Sequence, residues 1–120
     1  MKRLRQIAGW ITLALLVGLV PLHFWLLDGL DGFLFSLVSE DSTVYASGYS
    51  DRSFRRVHVG MTSNEVVALL GSPLETGALS DEGCVTWLYS NKKRDTSYHV
   101  RTIVFQDGVV SEIISEFYLD

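Results

Sequence analysis

The sequence predicts an α+β protein in which an N-terminal transmembrane helix precedes two short helices packed on a three-stranded antiparallel sheet. Three observations predict this fold class. A long apolar run stands near the N-terminus, a well-delimited amphipathic helix lies in the middle of the chain, and β-prone segments close it. A length of 120 residues leaves room for one folded domain behind the first helix.

The apolar run extends from Ile7 to Leu27 and contains no Asp, Glu, Lys or Arg. As a helix it would be about 31 Å long, enough to cross the hydrocarbon core of a bilayer. Trp10 and Trp25 lie near its two ends, where interfacial aromatic residues are enriched. Basic residues alone flank its start, namely Lys2, Arg3 and Arg5. The positive-inside rule therefore predicts a cytoplasmic N-terminus and places residues 28–120 on the other side of the membrane.

Two alternatives to an uncleaved anchor are a buried core helix and a cleaved secretory signal. The length of the run and its one-sided basic flank disfavour the core helix. A cleaved signal needs a small-x-small site after the apolar run, and residues 24–28 offer none. The nearest candidate, Val44-Tyr45-Ala46, lies far downstream. We therefore expect residues 1–27 to be a cytoplasmic stub and a retained, single-pass anchor.

Residues 28–48 are predicted to be a connector between the anchor and the domain. Asp28-Gly29 and Asp31-Gly32 should break the helix, and residues 39–42 are polar and turn-prone. The stretch from Phe33 to Val38 is too apolar for a free linker. It is expected to lie on the membrane surface or on the domain, the alternative being contact with a neighbouring membrane protein.

The folded domain is predicted to occupy residues 49–120. Ser50 can cap a short helix that continues to His58, with Phe54 and Val57 on one face. Three arginines share the other face of this helix: Arg52, Arg55 and Arg56.

The second helix of the domain has the clearest start and end in the sequence. Thr62 and Glu65 form a capping box, and an apolar face follows at helical spacing. Gly71 suits the left-handed position after the helix, and Pro73 prevents the helix from resuming. Gly60 and Met61 form the loop that leads into it.

Three segments rich in β-branched and aromatic residues predict the sheet, namely Cys84–Ser90, Tyr98–Phe105 and Val109–Phe117. Residues 91–97 form a polar connection, and Asp107-Gly108 predicts a tight hairpin turn. Trp87, Phe105 and Ile113 are expected to contribute much of the buried surface of this small core.

The sequence contains no combination of residues that predicts catalysis, a cofactor or a metal site. Cys84 is the only thiol and is expected to be a small buried residue, with a reactive thiol or an intermolecular disulfide as the alternative. If Leu88 faces His99 across the hairpin, Cys84 lies about 13 Å from that imidazole, too far for a catalytic pair. His58 and His99 lack a partner at ligand spacing, and Asp81 and Glu82 are expected to be solvated loop acids.

Charge is distributed unevenly along the chain. Residues 28–120 contain seven Lys or Arg against fourteen Asp or Glu, which argues against nucleic acid as a partner. Two basic clusters stand out on this acidic domain, the three arginines above and the group Lys92, Lys93 and Arg94. They are either solvated surface charge or a contact for anionic lipid or an acidic partner surface.

Several motifs occur in the order typical of one family: Val59-Gly60-Met61-Thr62, Glu65-Val66, Leu70-Gly71-Ser72-Pro73, Thr86-Trp87-Leu88-Tyr89 and Val104-Phe105-Gln106-Asp107-Gly108-Val109. Together they resemble the SmpA/OmlA (BamE-like) domain. The resemblance implies a non-catalytic envelope module that binds partner subunits and lipid head groups during assembly of outer-membrane proteins. Members carry an acylated N-terminal cysteine, whereas this sequence has an apolar helix there. The alternative function is that of an accessory or inhibitor-like subunit of an inner-membrane complex.

Overall fold

The computed structural model describes residues 1–78 and 83–119, so the predicted loop acids Asp81 and Glu82 lie outside the described residues. Helix α1 (Lys2–Trp25) contains the apolar run except for its last two residues, and none of the residues of α1 is buried. Within the described residues it is the one helix that is long and apolar enough to cross a membrane by length and composition. Pro21 lies inside it.

Residues 28–48 contain a helix, α2 (Gly29–Val38), and a short strand, β1 (Thr43–Tyr45). The chain turns sharply between α1 and α2, where Gly29 has a φ of +73°. A Cβ at this position would lie 2.7 Å from the ring of His23, so only glycine fits the turn.

Two further helices, α3 (Asp51–Phe54) and α4 (Ser63–Leu70), lie in the domain. The side chain of Ser50 caps α3 as the sequence predicts, accepting a hydrogen bond from Ser53 N–H at 3.1 Å. The predicted continuation of α3 to His58 is wrong. The chain instead leaves the helix through tight turns, in which Val57 N–H donates to Phe54 O at 3.1 Å.

The structure contains two antiparallel sheets, and the predicted single three-stranded sheet is wrong. One sheet has four strands in the order β2-β3-β5-β6, and the other pairs β1 with β4. The remaining strands are β2 (Glu75–Ala78), β3 (Cys84–Leu88), β4 (Ser90–Lys92), β5 (Tyr98–Gln106) and β6 (Val109–Tyr118).

The sequence missed β2 because its four residues are all exposed and show no alternation. The predicted strand through Ser90 is divided at Tyr89, which is fully buried and donates its N–H to Arg101 O at 2.8 Å. Beyond Tyr89 the chain pairs with β1 instead of continuing the larger sheet.

The register between β3 and β5 also differs from the expectation. Residues 91 and 92 of the predicted polar connection belong to strand β4. Leu88 pairs with Thr102, not with His99. The hairpin between β5 and β6 turns at Asp107 and Gly108, whose φ angles of +52° and +82° fit the tight turn that the sequence predicts.

The core lies between the helices α3 and α4 and the larger sheet. Phe105 is buried as expected, whereas Trp87 and Ile113 are half-buried and pack against the edge of the core. The rings of Trp87 and Phe105 lie 4.6 Å apart. The largest side chains that are almost fully buried are Arg101, Tyr89, Phe54, Leu70, Ile103, Val66 and Val110.

Candidate functional site

The three arginines of the first basic cluster lie on the exposed side of the α3 segment. Phe54 and Val57 are buried in the core, whereas Arg52, Arg55 and Arg56 are exposed. We call these three exposed arginines the arginine face.

The arginine face lies next to the end of α1. The guanidinium carbon of Arg55 sits 4.5 Å from the ring centroid of Trp25, within the range of a cation–π interaction. Trp25 is the last residue of the apolar helix. Arg55 therefore lies beside the end of α1.

The second basic cluster, Lys92 to Arg94, is exposed on β4 and the turn that follows it. Lys92 Nζ lies 2.7 Å from the Asp95 carboxylate, and Arg94 Nη1 lies 3.2 Å from Glu40. The side chain of Lys93 is also exposed. Local acids therefore offset part of the positive charge of this cluster, whereas the arginine face borders an aromatic ring.

The motif residues shape the turn and helix before the sheet. Gly60, with a φ of +95°, donates its N–H to Val110 O at 2.8 Å, and Met61 O accepts from Val110 N–H at 2.8 Å. The Thr62 side chain accepts from Glu65 N–H at 3.3 Å and caps α4. Helix α4 ends before Gly71, whose φ is +73°, and Pro73 lies just beyond.

A group of charged residues that the sequence analysis did not identify joins the end of α1 to the sheet. Asp28 receives two hydrogen bonds from the Arg101 guanidinium, at 2.5 and 3.1 Å, and contacts His99 Nδ1 at 2.7 Å. The side chains of Asp28 and Arg101 are only 10% and 2% exposed. Ser115 Oγ also donates to Leu27 O at 2.5 Å. We call these contacts, together with the Arg55–Trp25 pair, the junction.

Tyr49 and Asp51 extend the junction toward α3. Arg101 Nε donates to Tyr49 Oη at 2.9 Å, and that hydroxyl donates to Asp51 at 2.6 Å. Burial, together with the hydrogen bond to Asp51, raises the pKa of Tyr49. The hydroxyl therefore stays protonated and holds the two charged groups in place.

Burial and pairing act in opposite directions on the charges of the junction. Burial alone would raise the pKa of Asp28, but hydrogen bonds from His99 and Arg101 outweigh it and lower this pKa to about 2. The hydrogen bond to Asp28 raises the pKa of His99, supported by the charge of Asp41 and opposed by burial. Asp28 is thus ionised at neutral pH, and protonated His99 is favoured between two carboxylates.

Arg101 could have been identified from the alternation of its strand. Residues 101, 103 and 105 of β5 share one face, and both Ile103 and Phe105 are buried. A buried arginine on that face requires a carboxylate partner. The sequence alone does not say which of the acidic residues is the partner, because Asp28 lies 73 positions away in the chain.

The geometry gives no support to a catalytic pair. Cys84 is buried and pairs with Gln106, seven residues along β5 from His99, which places the two side chains about 23 Å apart at strand rise. Among residues 1–78 and 83–119, no cluster of three or more His, Cys, Asp or Glu side chains could hold a metal ion.

Comparison with known proteins gives one family. Residues 49–115 match the model of the outer membrane protein assembly factor BamE domain. No curated protein matches the chain. The match begins where the sequence analysis starts the folded domain, includes Arg101, and leaves α1, α2 and Asp28 outside.

Proposed function

The chain belongs to the BamE domain family, and from this premise we propose that it is a non-catalytic, membrane-tethered binding and scaffold module of the bacterial cell envelope, similar to outer-membrane protein assembly factors. The resemblance seen in the motifs and the match over residues 49–115 agree on the family. A family of assembly-factor domains supports a role in binding rather than in catalysis.

The single observation that carries the membrane-tethered role is the junction. The buried Asp28–Arg101 pair and the bond from Ser115 to Leu27 attach the domain directly to the end of α1. A long apolar helix without a single buried residue needs a surrounding that water does not provide. We propose that α1 spans the inner membrane with its basic start in the cytoplasm, and that the domain stands on the periplasmic surface.

The arginine face is the proposed contact for an acidic partner surface or anionic lipid head groups. Arg55 lies over the ring of Trp25, so this face stands beside the proposed membrane boundary. Each cation near an anionic surface contributes about 1 kcal/mol to binding. The cluster at Lys92, Lys93 and Arg94 is a second proposed contact, with a lower net charge because of Asp95 and Glu40.

A second candidate function is that of an accessory or inhibitor-like subunit of an inner-membrane complex. The longest dimension of the molecule is 63 Å, and α1 alone is about 36 Å long. The junction leaves no spacer between α1 and the domain, so the domain cannot reach farther from the end of α1 than its own dimensions allow. This short reach favours a partner in or close to the same membrane.

Affinity purification of tagged full-length protein from gently solubilised membranes separates the two functions. Recovery of the subunits that insert outer-membrane β-barrels would support the assembly role. Recovery of inner-membrane proteins alone would support the accessory role. A matched control replaces residues 7–20 with an unrelated apolar sequence and keeps the junction intact. Loss of the partner from this control would assign the main contact to α1 itself, whereas retention would assign it to the domain.

We predict that charge reversal on the arginine face weakens partner recovery without unfolding the domain. Arg52→Glu combined with Arg56→Glu reverses two charges and leaves the contact between Arg55 and Trp25 intact. Recovery should fall several-fold, measured against Arg52→Lys with Arg56→Lys, which keeps the charge. Unchanged recovery, with the same thermal unfolding by circular dichroism, would contradict a binding role for these two arginines.

A further inference from the structure

Helix α2 presents its small residues to the domain and its large apolar residues outward. Gly32 is buried, and a Cβ on it would lie 3.4 Å from the Cβ of Phe117 on β6. Ser36, one turn later, is half-buried. The exposed side chains are larger and apolar: Phe33 (44% exposed), Leu34 (54%), Phe35 (49%), Leu37 (66%) and Val38 (83%).

A helix that packs on a water-soluble domain normally buries its large apolar side chains, whereas α2 exposes them. Burial of such side chains away from water is favourable, and water-soluble monomers rarely expose large contiguous apolar patches. From Phe33 to Val38 the helix carries no charged side chain. The outward surface of α2 therefore requires an apolar surrounding.

The exposed surface of α2 continues that of α1. Leu30 borders the same open hollow as Leu19, Val20 and Phe24 of α1, and this hollow is lined almost entirely by apolar atoms. The turn between the helices is fixed by a hydrogen bond from Leu30 N–H to His23 Nδ1 at 2.9 Å. The surrounding that covers the last turns of α1 therefore also meets Leu30 at the start of α2.

The length of α2 limits how it can meet a bilayer. Ten residues rise only about 15 Å, which is half of what a spanning helix needs. The sheet covers one of its sides through Gly32, so only the opposite side is free to meet lipid. A short apolar helix with one side packed on a domain and the other side free fits the boundary between head groups and acyl chains.

We propose that α2 is an interfacial membrane helix, whose outward side lies in the outer part of the leaflet next to α1. This inference rests on the proposed function, in which α1 spans the membrane. Two contacts with the bilayer, one along α1 and one along α2, fix the rotation of the domain about the axis of α1. The domain then presents one constant side to partners within the membrane.

Depth-dependent fluorescence quenching in vesicles of purified full-length protein tests the proposal. An environment-sensitive dye is attached to a single cysteine in a Cys84→Ala background, at Leu37→Cys on α2. Lipids that carry a nitroxide quencher high or low on the acyl chain report the depth of the dye. Leu37→Cys should be quenched strongly, and more by the shallow quencher than by the deep one.

Two matched positions make the result decisive. Thr76→Cys, on the exposed strand β2 at the opposite edge of the sheet from β6, should show little quenching. Leu13→Cys, in the middle of α1, should be quenched most by the deep label. If Leu13→Cys is quenched and Leu37→Cys behaves like Thr76→Cys, the interfacial helix is wrong while the anchor stands. If neither leucine position is quenched, the transmembrane anchor fails as well. Circular dichroism of each labelled protein establishes that it is folded.

Discussion

Helix α4 and the junction stabilise the same domain by opposite means. At α4 the contacts are local and apolar, because Thr62 caps its own helix while Val66 and Leu70 are fully buried. At the junction the contacts are charged and distant in sequence, because Asp28 and Arg101 are 73 positions apart. The first region consists of many small contributions, and the second depends on one buried ion pair and its hydrogen bonds.

The difference indicates how much stability each region loses on a single substitution. Local caps and apolar burial stabilise the domain in small contributions, so the loss of one of them removes part of the stability. The junction also stabilises the domain, and it connects the domain to the end of α1. Leaving a buried charge without its partner costs far more free energy than removing a helix cap. Substitutions in the junction should therefore lower the free energy of unfolding much more than substitutions at the cap of α4.

The largest effect is expected from Asp28→Ala. This change removes the closest carboxylate of the buried Arg101 guanidinium and leaves the more distant Asp51, 3.6 Å from Nε, which should lower the free energy of unfolding by about 3–5 kcal/mol. Urea unfolding of the full-length protein in mild detergent, followed by tryptophan fluorescence, measures the loss. The matched control is Asp31→Ala on α2, whose side chain is 75% exposed and which should have little effect.

A double variant tests whether the loss comes from the unpaired charge of Arg101 or from the change at position 28 itself. Asp28→Ala combined with Arg101→Met removes both charges and fills the space of the arginine with an apolar chain, so most of the lost stability should return. If Asp28→Ala proves as mild as Asp31→Ala, the junction does not stabilise the domain and the contrast with α4 disappears.

An intermediate effect, dependent on pH, is expected at His99. The imidazole faces Asp28 and Asp41, with Arg101 nearby as the opposing charge. Its pKa is raised, so its contribution is fully present below the ordinary value of 6.5 and is lost as the pH rises through the raised value. The pKa of Asp28 is lowered to about 2, so its contribution is lost only in acid, between its ordinary value of 3.8 and about 2. The junction should thus be strongest between about pH 4 and 6.5.

His99→Gln tests this dependence. At pH 6 it should lower the free energy of unfolding by about 1.5–3 kcal/mol, the range for a hydrogen bond to a charged group. At pH 8 the difference from the wild type should be smaller, because part of the wild-type imidazole is then neutral. Unfolding measured at both pH values gives the two differences. Equal differences at pH 6 and pH 8 would contradict a loss of the His99 contribution within this pH range.

The sequence predicts the elements that depend on local signals. Helix α4 and the turn at Asp107-Gly108 agree with the structure, because a cap, an apolar face and a glycine lie within a few residues of each other. The sequence does not predict β2 or the division of the chain at Tyr89. Both depend on pairing with strands elsewhere in the chain, which leaves no pattern in the segments themselves.

For the candidate site as well, the sequence predicts local features and does not predict contacts between distant parts of the chain. The exposure of Arg52, Arg55 and Arg56 is expected from the sequence and agrees with the structure, although α3 ends before Arg55. Their proximity to the end of α1 does not follow from spacing, because it results from the path of the chain through α2 and β1. The dipeptide Asp28-Gly29 predicts only the end of a helix, whereas the structure shows that the Asp28 carboxylate is the partner of the buried Arg101.

The smallest effect is expected from Thr62→Ala, which tests the local side of the comparison. The hydroxyl accepts from Glu65 N–H at 3.3 Å, and its removal leaves one backbone donor at the start of α4 without that partner. The expected loss is about 1 kcal/mol, in the range for N-cap substitutions, with no change between pH 6 and pH 8. Thr62→Ser keeps the oxygen and should retain most of the stability. A loss as large as that of Asp28→Ala would mean that the cap supports more than its own helix, through the bridge between Thr62 and Val109 at the start of β6.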